Sequence, residues 1–149
     1  MNSIFGSLFI VSTPLGNLKD ITLRALNIMK NSYLIAAEDT RKSQILLNEY
    51  NIKTKMISYH EHNSHNRIKT IISYLKDGKN IALISDAGTP GISDPSYRLI
   101  RSAIENEITV NSIPGPSAFL TALTSSGLPT DNFFFAGFLP PKKGRKSKL

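Results

Sequence analysis

Short apolar runs, each closed by a polar, turn-rich loop and then followed by a stretch with helical spacing, recur along this 149-residue chain. The first run is Leu8-Phe9-Ile10-Val11, ending in Thr13-Pro14-Leu15-Gly16-Asn17. Asp20 then reads as an N-cap for a helix with Ile21, Ala25, Ile28 and Met29 on one face. Further apolar runs cover 33–37, 55–59, 81–85, 108–113 and 133–139. Between them, a helix passes through Ile45 and Leu46 to about Tyr50, and Ile68, Ile71, Ile72 and Leu75 stand at i, i+3, i+4 and i+7. Leu99, Ile100, Ala103 and Ile104 mark another helix, and 118–126 a last one ending at Gly127. Strands separated by helices pair in parallel through right-handed crossovers. The expected fold class is therefore α/β, a three-layer αβα arrangement with five mainly parallel strands, and 133–139 beginning a new element. A chain of this length buries roughly 70% of the surface it exposes when unfolded, enough for a core without staples. The domain so read spans 1–139, with a basic tail or linker over 140–149.

Composition narrows the class. There are no cysteines, which removes disulfides, thiolate nucleophiles and zinc–sulfur sites together. The net charge of +7 is unevenly placed. Lys142, Lys143, Arg145, Lys146 and Lys148 crowd the last eight residues, leaving thirteen bases against eleven acids over residues 1–141. Such a basic block reads as an RNA-contacting arm or as a linker. No apolar run reaches the length of a membrane span. No Lys or Arg precedes Lys19, so the apolar opening lacks the basic start of a secretory signal, and a mature cytoplasmic protein is expected.

A parallel sheet sends every strand-to-helix loop to one edge, where open α/β sheets bind ligands. The loops 13–17, 38–41, 60–63, 86–95 and 114–117 should therefore share a rim. Loop 86–95 holds two Gly, two Pro and two Asp, suiting close backbone approach to a ligand, with Asp94 capping the helix that begins at Pro95. Loop 114–117 leads into a helix start with exposed backbone N–H groups, suited to a carboxylate or a ligand's polar edge. The first loop carries neither a GxGxxG nor a Walker pattern, so dinucleotide and P-loop binding lose support. Glu38-Asp39-Thr40-Arg41 reads either as an ion pair capping a helix through Asp39 or Thr40, or as acids placed for general-base work. His60, Glu61 and His62 are further rim candidates; two histidines at i, i+2 share one side of an extended strand, but metal binding is not expected with so few ligand-type residues.

Ser85-Asp86-Ala87-Gly88-Thr89-Pro90-Gly91-Ile92-Ser93-Asp94-Pro95 resembles the hallmark loop of the ribosomal RNA small subunit methyltransferase I family, within the tetrapyrrole (corrin/porphyrin) methylase superfamily. Thr13-Pro14-Leu15-Gly16-Asn17-Leu18, Ala37-Glu38-Asp39-Thr40-Arg41, Tyr59-His60-Glu61-His62-Asn63, Pro114-Gly115-Pro116-Ser117-Ala118 and Gly127-Leu128-Pro129-Thr130-Asp131 are similar to its other blocks, in order, over residues 8–141. The resemblance implies methyl transfer from S-adenosylmethionine to the 2'-oxygen of a cytidine in the decoding region of 16S rRNA, by a homodimer. Cofactor contacts implied are Pro14, Gly88, Thr89, Pro90, Ile92, Ser117 and Ala118, with Asp86 added for its place at the strand end. The base is left open among Glu38, Asp39, His60, Glu61 and His62. Ser96 departs from the Gly usual in the family. Members are nearly twice as long and continue into a second α/β domain, so weak or absent activity of these 149 residues alone is expected. Two other readings remain: a small-molecule tetrapyrrole-type methylase, and a non-catalytic RNA-binding remnant.

Overall fold

A computed structural model describes residues 5–138. Ten elements follow one another: β1 (Leu8–Val11), α1 (Leu23–Asn31), β2 (Leu34–Ala37), α2 (Thr40–Glu49), β3 (Met56–Ser58), α3 (Ser64–Lys76), β4 (Ile81–Ile84), α4 (Ser96–Glu105), β5 (Val110–Ile113) and α5 (Ala118–Ser125). The five strands form one sheet in the order β3-β2-β4-β1-β5, and every strand pair is parallel.

The near-continuous apolar runs make sense in a sheet covered on both faces. Successive side chains of a strand point to opposite faces. Leu8 and Ile10 of β1, Leu34 and Ala36 of β2, and Ile81 and Leu83 of β4 pack with Ile71, Ile72 and Leu75 of α3 and Leu99 and Ala103 of α4. Val11, Ile35, Ala37, Ala82 and Ile84 face the other way, against Ala25 and Met29 of α1 and Leu46 and Leu47 of α2. The i, i+3, i+4, i+7 stripe of α3 is thus the stripe that is buried.

The chain leaves β1 toward β2 and β3, then returns to insert β4 between β2 and β1 before reaching β5. Adjacent strands β1 and β4 therefore send their loops apart, which opens a crevice at their carboxyl ends. Two compact units result, one ending at Ala118 and one starting at Phe119. In the second, the described residues are exposed or half-exposed, Phe134 at 90% among them.

Three expectations need correction. Asp20 does not cap α1; its N–H closes a turn on Asn17, and Thr22 is the cap, its hydroxyl accepting from Ala25 N at 3.0 Å. Residues 133–138 form no strand, and Leu139 lies outside the described residues, as does the stretch 140–149 with Lys142, Lys143, Arg145, Lys146 and Lys148. An apolar run becomes a strand only where another backbone meets its hydrogen-bonding groups, and no strand pairs with this one among the described residues. Finally, 60–63 is a turn, not extended backbone, so His60 and His62 do not share a strand face; their rings meet edge-on at 6.0 Å.

Candidate functional site

The crevice between β1 and β4 is stitched by backbone. Thr13 and Gly88 exchange both N–H···O bonds at 2.9 Å as an isolated antiparallel bridge. Gly88 is buried at φ +76°, where an L side chain is strained, and an added Cβ would come within 3.0 Å of Leu15 Cδ2 and 3.7 Å of the Pro116 carbonyl oxygen. Loops 13–17, 86–95 and 114–117 therefore converge on one glycine.

Ser12 was not singled out from the sequence, yet it ties the same three loops. Its Oγ lies 2.9 Å from Thr89 Oγ1, and Thr89 Oγ1 donates to the Pro116 carbonyl at 3.1 Å. Ser12 is also 3.3 Å from the Ile113 carbonyl it can donate to, and it is 2% exposed. Gly115 approaches it so closely that a Cβ there would stand 2.8 Å from Ser12 Cβ. The sequence signal is slight: a hydroxyl at the end of an apolar run. Of the other candidates in these loops, Pro90 is buried, Ser117 half-buried, Ala118 exposed and Ile92 49% exposed.

A second network joins β2 to β4. Asp86 Oδ1 accepts from Asp39 N at 3.0 Å, and its Oδ2 is held by Lys42 Nζ at 2.6 Å. Asp86 N in turn donates to Glu38 Oε2 at 3.3 Å. Asp86 is thus a strut between two rim loops. Lys42, one turn into α2, was also missed by sequence reasoning. The Asp86–Lys42 pair borders a cavity of about 140 Å³ whose walls include Thr13, Pro14, Gly16 and Ser85.

The rim acids and histidines differ sharply in what they have left to offer. Asp39 caps α2, accepting from Arg41 N at 2.9 Å, and its carboxylate also takes Arg41 Nε and Nη2 at 3.1 and 2.8 Å. Hydrogen bonds from the Arg41 side chain and backbone hold that carboxyl well below the usual carboxylate range. Of the two readings of 38–41, the capping ion pair is what the structure shows for Asp39. Glu61 is bound to Arg98 at 2.7 Å.

His60 is clamped by Asn63. Asn63 Oδ1 accepts from His60 N at 2.9 Å, which turns the amide nitrogen toward His60 Nε2 at 3.1 Å. An amide nitrogen only donates, so this network assigns Nε2 as acceptor and the ring proton to Nδ1. That Nδ1 is buried without a partner among the described residues. Held this way, Nε2 is already engaged by the Asn63 amide. Glu38 is half-buried with one oxygen on Asp86 N, and His62 is exposed. Tyr59 supports this edge from inside, its phenol donating to the Pro95 carbonyl at 3.1 Å, and burial pushes that phenol up to about 12. Asp94 accepts from Gly91 N and Ser96 N, both at 2.8 Å, just ahead of α4, which starts one residue after the position expected. Among the described residues no three His, Asp or Glu side chains gather as metal ligands, and no helix is long and apolar enough to cross a membrane.

Comparison with known proteins bears on this rim. Residues 7–149 match the family described as Tetrapyrrole (Corrin/Porphyrin) Methylases. The chain is 53% identical over 145 residues to a ribosomal RNA small subunit methyltransferase I of Halalkalibacterium halodurans, covering 97% of this chain and 50% of that one. It is 50% identical to the proteins of the same name from Thermotoga maritima and Escherichia coli O157:H7, covering 97% of this chain and 65% and 51% of theirs. The chain thus spans about half the length of most of these relatives. Among solved structures, a uroporphyrin-III-C-methyltransferase from Thermus thermophilus superposes with a TM-score of 0.62 at 17% identity, over 83% of this chain and 53% of that one.

Proposed function

Because the chain belongs to the tetrapyrrole (corrin/porphyrin) methylase family, we propose that it serves S-adenosylmethionine-dependent 2'-O-methylation of a cytidine in the decoding region of 16S rRNA, in the cytoplasm and as part of a homodimer. The observation that carries this reading is the identity of about half over nearly the whole chain to proteins named for small-subunit rRNA methylation. The sheet's solved neighbours include a small-molecule methylase, but at 17% identity that likeness speaks for the fold.

When bound, S-adenosylmethionine supplies a methyl group activated on a sulfonium sulfur. The residues proposed to hold it are Pro14, Asp86, Gly88, Thr89, Pro90, Ile92, Ser117 and Ala118. The geometry fits a ligand at this place: a buried positive-φ glycine removes the side chain where three loops meet, and Ser12–Thr89–Pro116 fixes their spacing. Asp86 acts there by positioning, through Asp39 N and Lys42. A ribose hydroxyl is a weak nucleophile and gains from an acceptor for its proton. Glu38 is the proposed acceptor, with His62 as the alternative, since Asp39 and Glu61 are tied to arginines and His60 Nε2 is engaged. Glu38 stands on the 38–41 loop, joined through Asp86 N to the 86–95 loop. Holding oxygen, methyl and sulfur in line is the larger task, and a rim fixed by cross-loop hydrogen bonds suits it. The basic residues Lys142, Lys143, Arg145, Lys146 and Lys148 add phosphate affinity in this reading.

The cavity of about 140 Å³ is under half of the ~300 Å³ at which ligand pockets usually begin. Weak turnover by these 149 residues alone is therefore part of the proposal. The test is methyl incorporation into small ribosomal subunits, with the modified nucleoside identified by mass spectrometry, against a precorrin acceptor. A 2'-O-methylcytidine supports the reading; label in the precorrin, or at another nucleoside, overturns it.

A further inference from the structure

Tyr97 and Arg98 stand in the first turn of α4, just past the 86–95 loop, and their arrangement is not that of two ordinary surface residues. Neighbours i and i+1 on a helix point about 100° apart and do not normally face each other. Here Arg98 folds back so that its guanidinium sits 5.7 Å from the Tyr97 ring centroid, and its Nε donates to the phenol oxygen at 3.1 Å. Glu61 of the β3–α3 connection at 2.7 Å and Ser64 Oγ at the start of α3 at 3.5 Å fasten the far end. An exposed arginine is thereby tethered three ways, while Tyr97 remains 54% exposed beside it.

The surroundings are basic. Over its thirteen residues α3 carries Arg67, Lys69 and Lys76 and no acid, and it packs beside α4 on the same face of the sheet. On α4, Arg101 is the other base, and the one acid, Glu105, is tied to it. Exposed His62 and His65 follow Glu61 and Ser64 in sequence. A rigid aromatic ring with a planar guanidinium on it, set in basic surface, matches what single-stranded RNA offers: a base to stack and a phosphate to meet.

We infer that the Tyr97–Arg98 pair is a contact for single-stranded RNA, stacking a nucleotide that flanks the methylated one. The inference rests on the rRNA reading above and assigns to this rim a recognition role separate from the cofactor loops. Glu61 then serves to hold the guanidinium beside the ring while offsetting part of its charge, and Asp94 is engaged with Gly91 N and Ser96 N just ahead of α4.

The experiment compares the full chain with Tyr97→Ala, Tyr97→Phe and Arg98→Ala. Affinities are measured for naked single-stranded oligoribonucleotides across a salt series, for small ribosomal subunits, and for S-adenosylmethionine by calorimetry. Y97A is expected to weaken binding to the oligoribonucleotide about tenfold, with Y97F within twofold of the parent. R98A is expected to weaken it and to lower the salt slope by about one. Cofactor affinity and thermal melting should not move. RNA affinity unchanged in both Y97A and R98A overturns the inference while leaving the rRNA reading standing. Weakened binding to subunits but not to naked RNA overturns it in favour of a ribosomal-protein contact. A parent chain that binds neither RNA nor subunits overturns both readings.

Discussion

The two edges of the sheet are built differently. At the amino edge the connections are joined mainly through backbone groups, Gly6 N donating to Leu75 O and Tyr33 N to Asn80 O, with Ser7 N on Asn80 Oδ1 and the Thr54 hydroxyl on Met29 O. At the carboxyl edge the loops are fastened to one another across long stretches of chain: Ser12 to Thr89, Thr89 to Pro116, Asp86 to Asp39 and Lys42. Backbone pairing extends the sheet, whereas fastening by hydroxyls and carboxylates also fixes the separation of polar groups that a ligand must meet together. Loops carrying function on a rigid scaffold are the general case, and the difference between the edges says where the polar side chains were placed.

The largest expected effect of breaking this contrast is at Gly88. Gly88→Val puts a branched side chain at φ +76° and against Leu15. Cofactor affinity by calorimetry should fall at least a hundredfold while far-UV circular dichroism stays at the parent's level; parent-like affinity would move the binding site off this crevice. Away from the carboxyl edge, Leu75→Ala removes a fully buried side chain and should cost about 2–5 kcal/mol in urea unfolding. It should leave the cofactor affinity of the folded protein unchanged, and a matched loss of both would erase the distinction between core and rim.

High pH tests the support beneath the rim. Tyr59 is an acid whose folded value, about 12, lies above its ordinary 10. Below pH 10 both states are neutral and nothing is lost. Between about pH 10 and 12 the unfolded chain gives up the proton that the folded chain keeps, so stability declines by roughly 2–3 kcal/mol. Tyr59→Phe should flatten that decline, and an unaltered alkaline limb would show that another group sets it. The smallest effect is expected for Ser12→Ala, about 1 kcal/mol of stability from one hydrogen-bonded hydroxyl. Its more telling readout is cofactor affinity, expected to weaken severalfold as Thr89 loses its fixed neighbour. Equal affinity would mean that the bridge between Thr13 and Gly88 suffices to set the crevice.

Much of this was readable in the chain. Strand-and-helix alternation implied the parallel α/β sheet because hydrophobic period and loop chemistry are local properties. The clustering of five loops at one edge followed from parallel pairing alone. The motifs at 13–18, 85–95 and 114–118 pointed to a methylase rim, and the comparisons agree on the family. The N-cap at Thr22 was missed because Asp20 and Thr22 are both good caps, and only the turn closed by Asn17 O decides between them.

The sequence by itself determined the five strands of the sheet, the five helices between and after them, and which loops gather at the carboxyl edge, since each depends on spacing within a few residues. Tertiary structure alone decided what each rim residue has left to offer. Asp39 and Glu61 are carboxylates in any listing of residues, but Arg41 and Arg98 neutralise them here, and the Asn63 amide fixes which nitrogen of His60 carries the proton. The apolar run 133–138 shows the same limit from the other side, because a strand exists only when a second backbone satisfies its hydrogen-bonding groups. Partner identity is a property of the folded chain, and charge, basicity and pairing all follow from it.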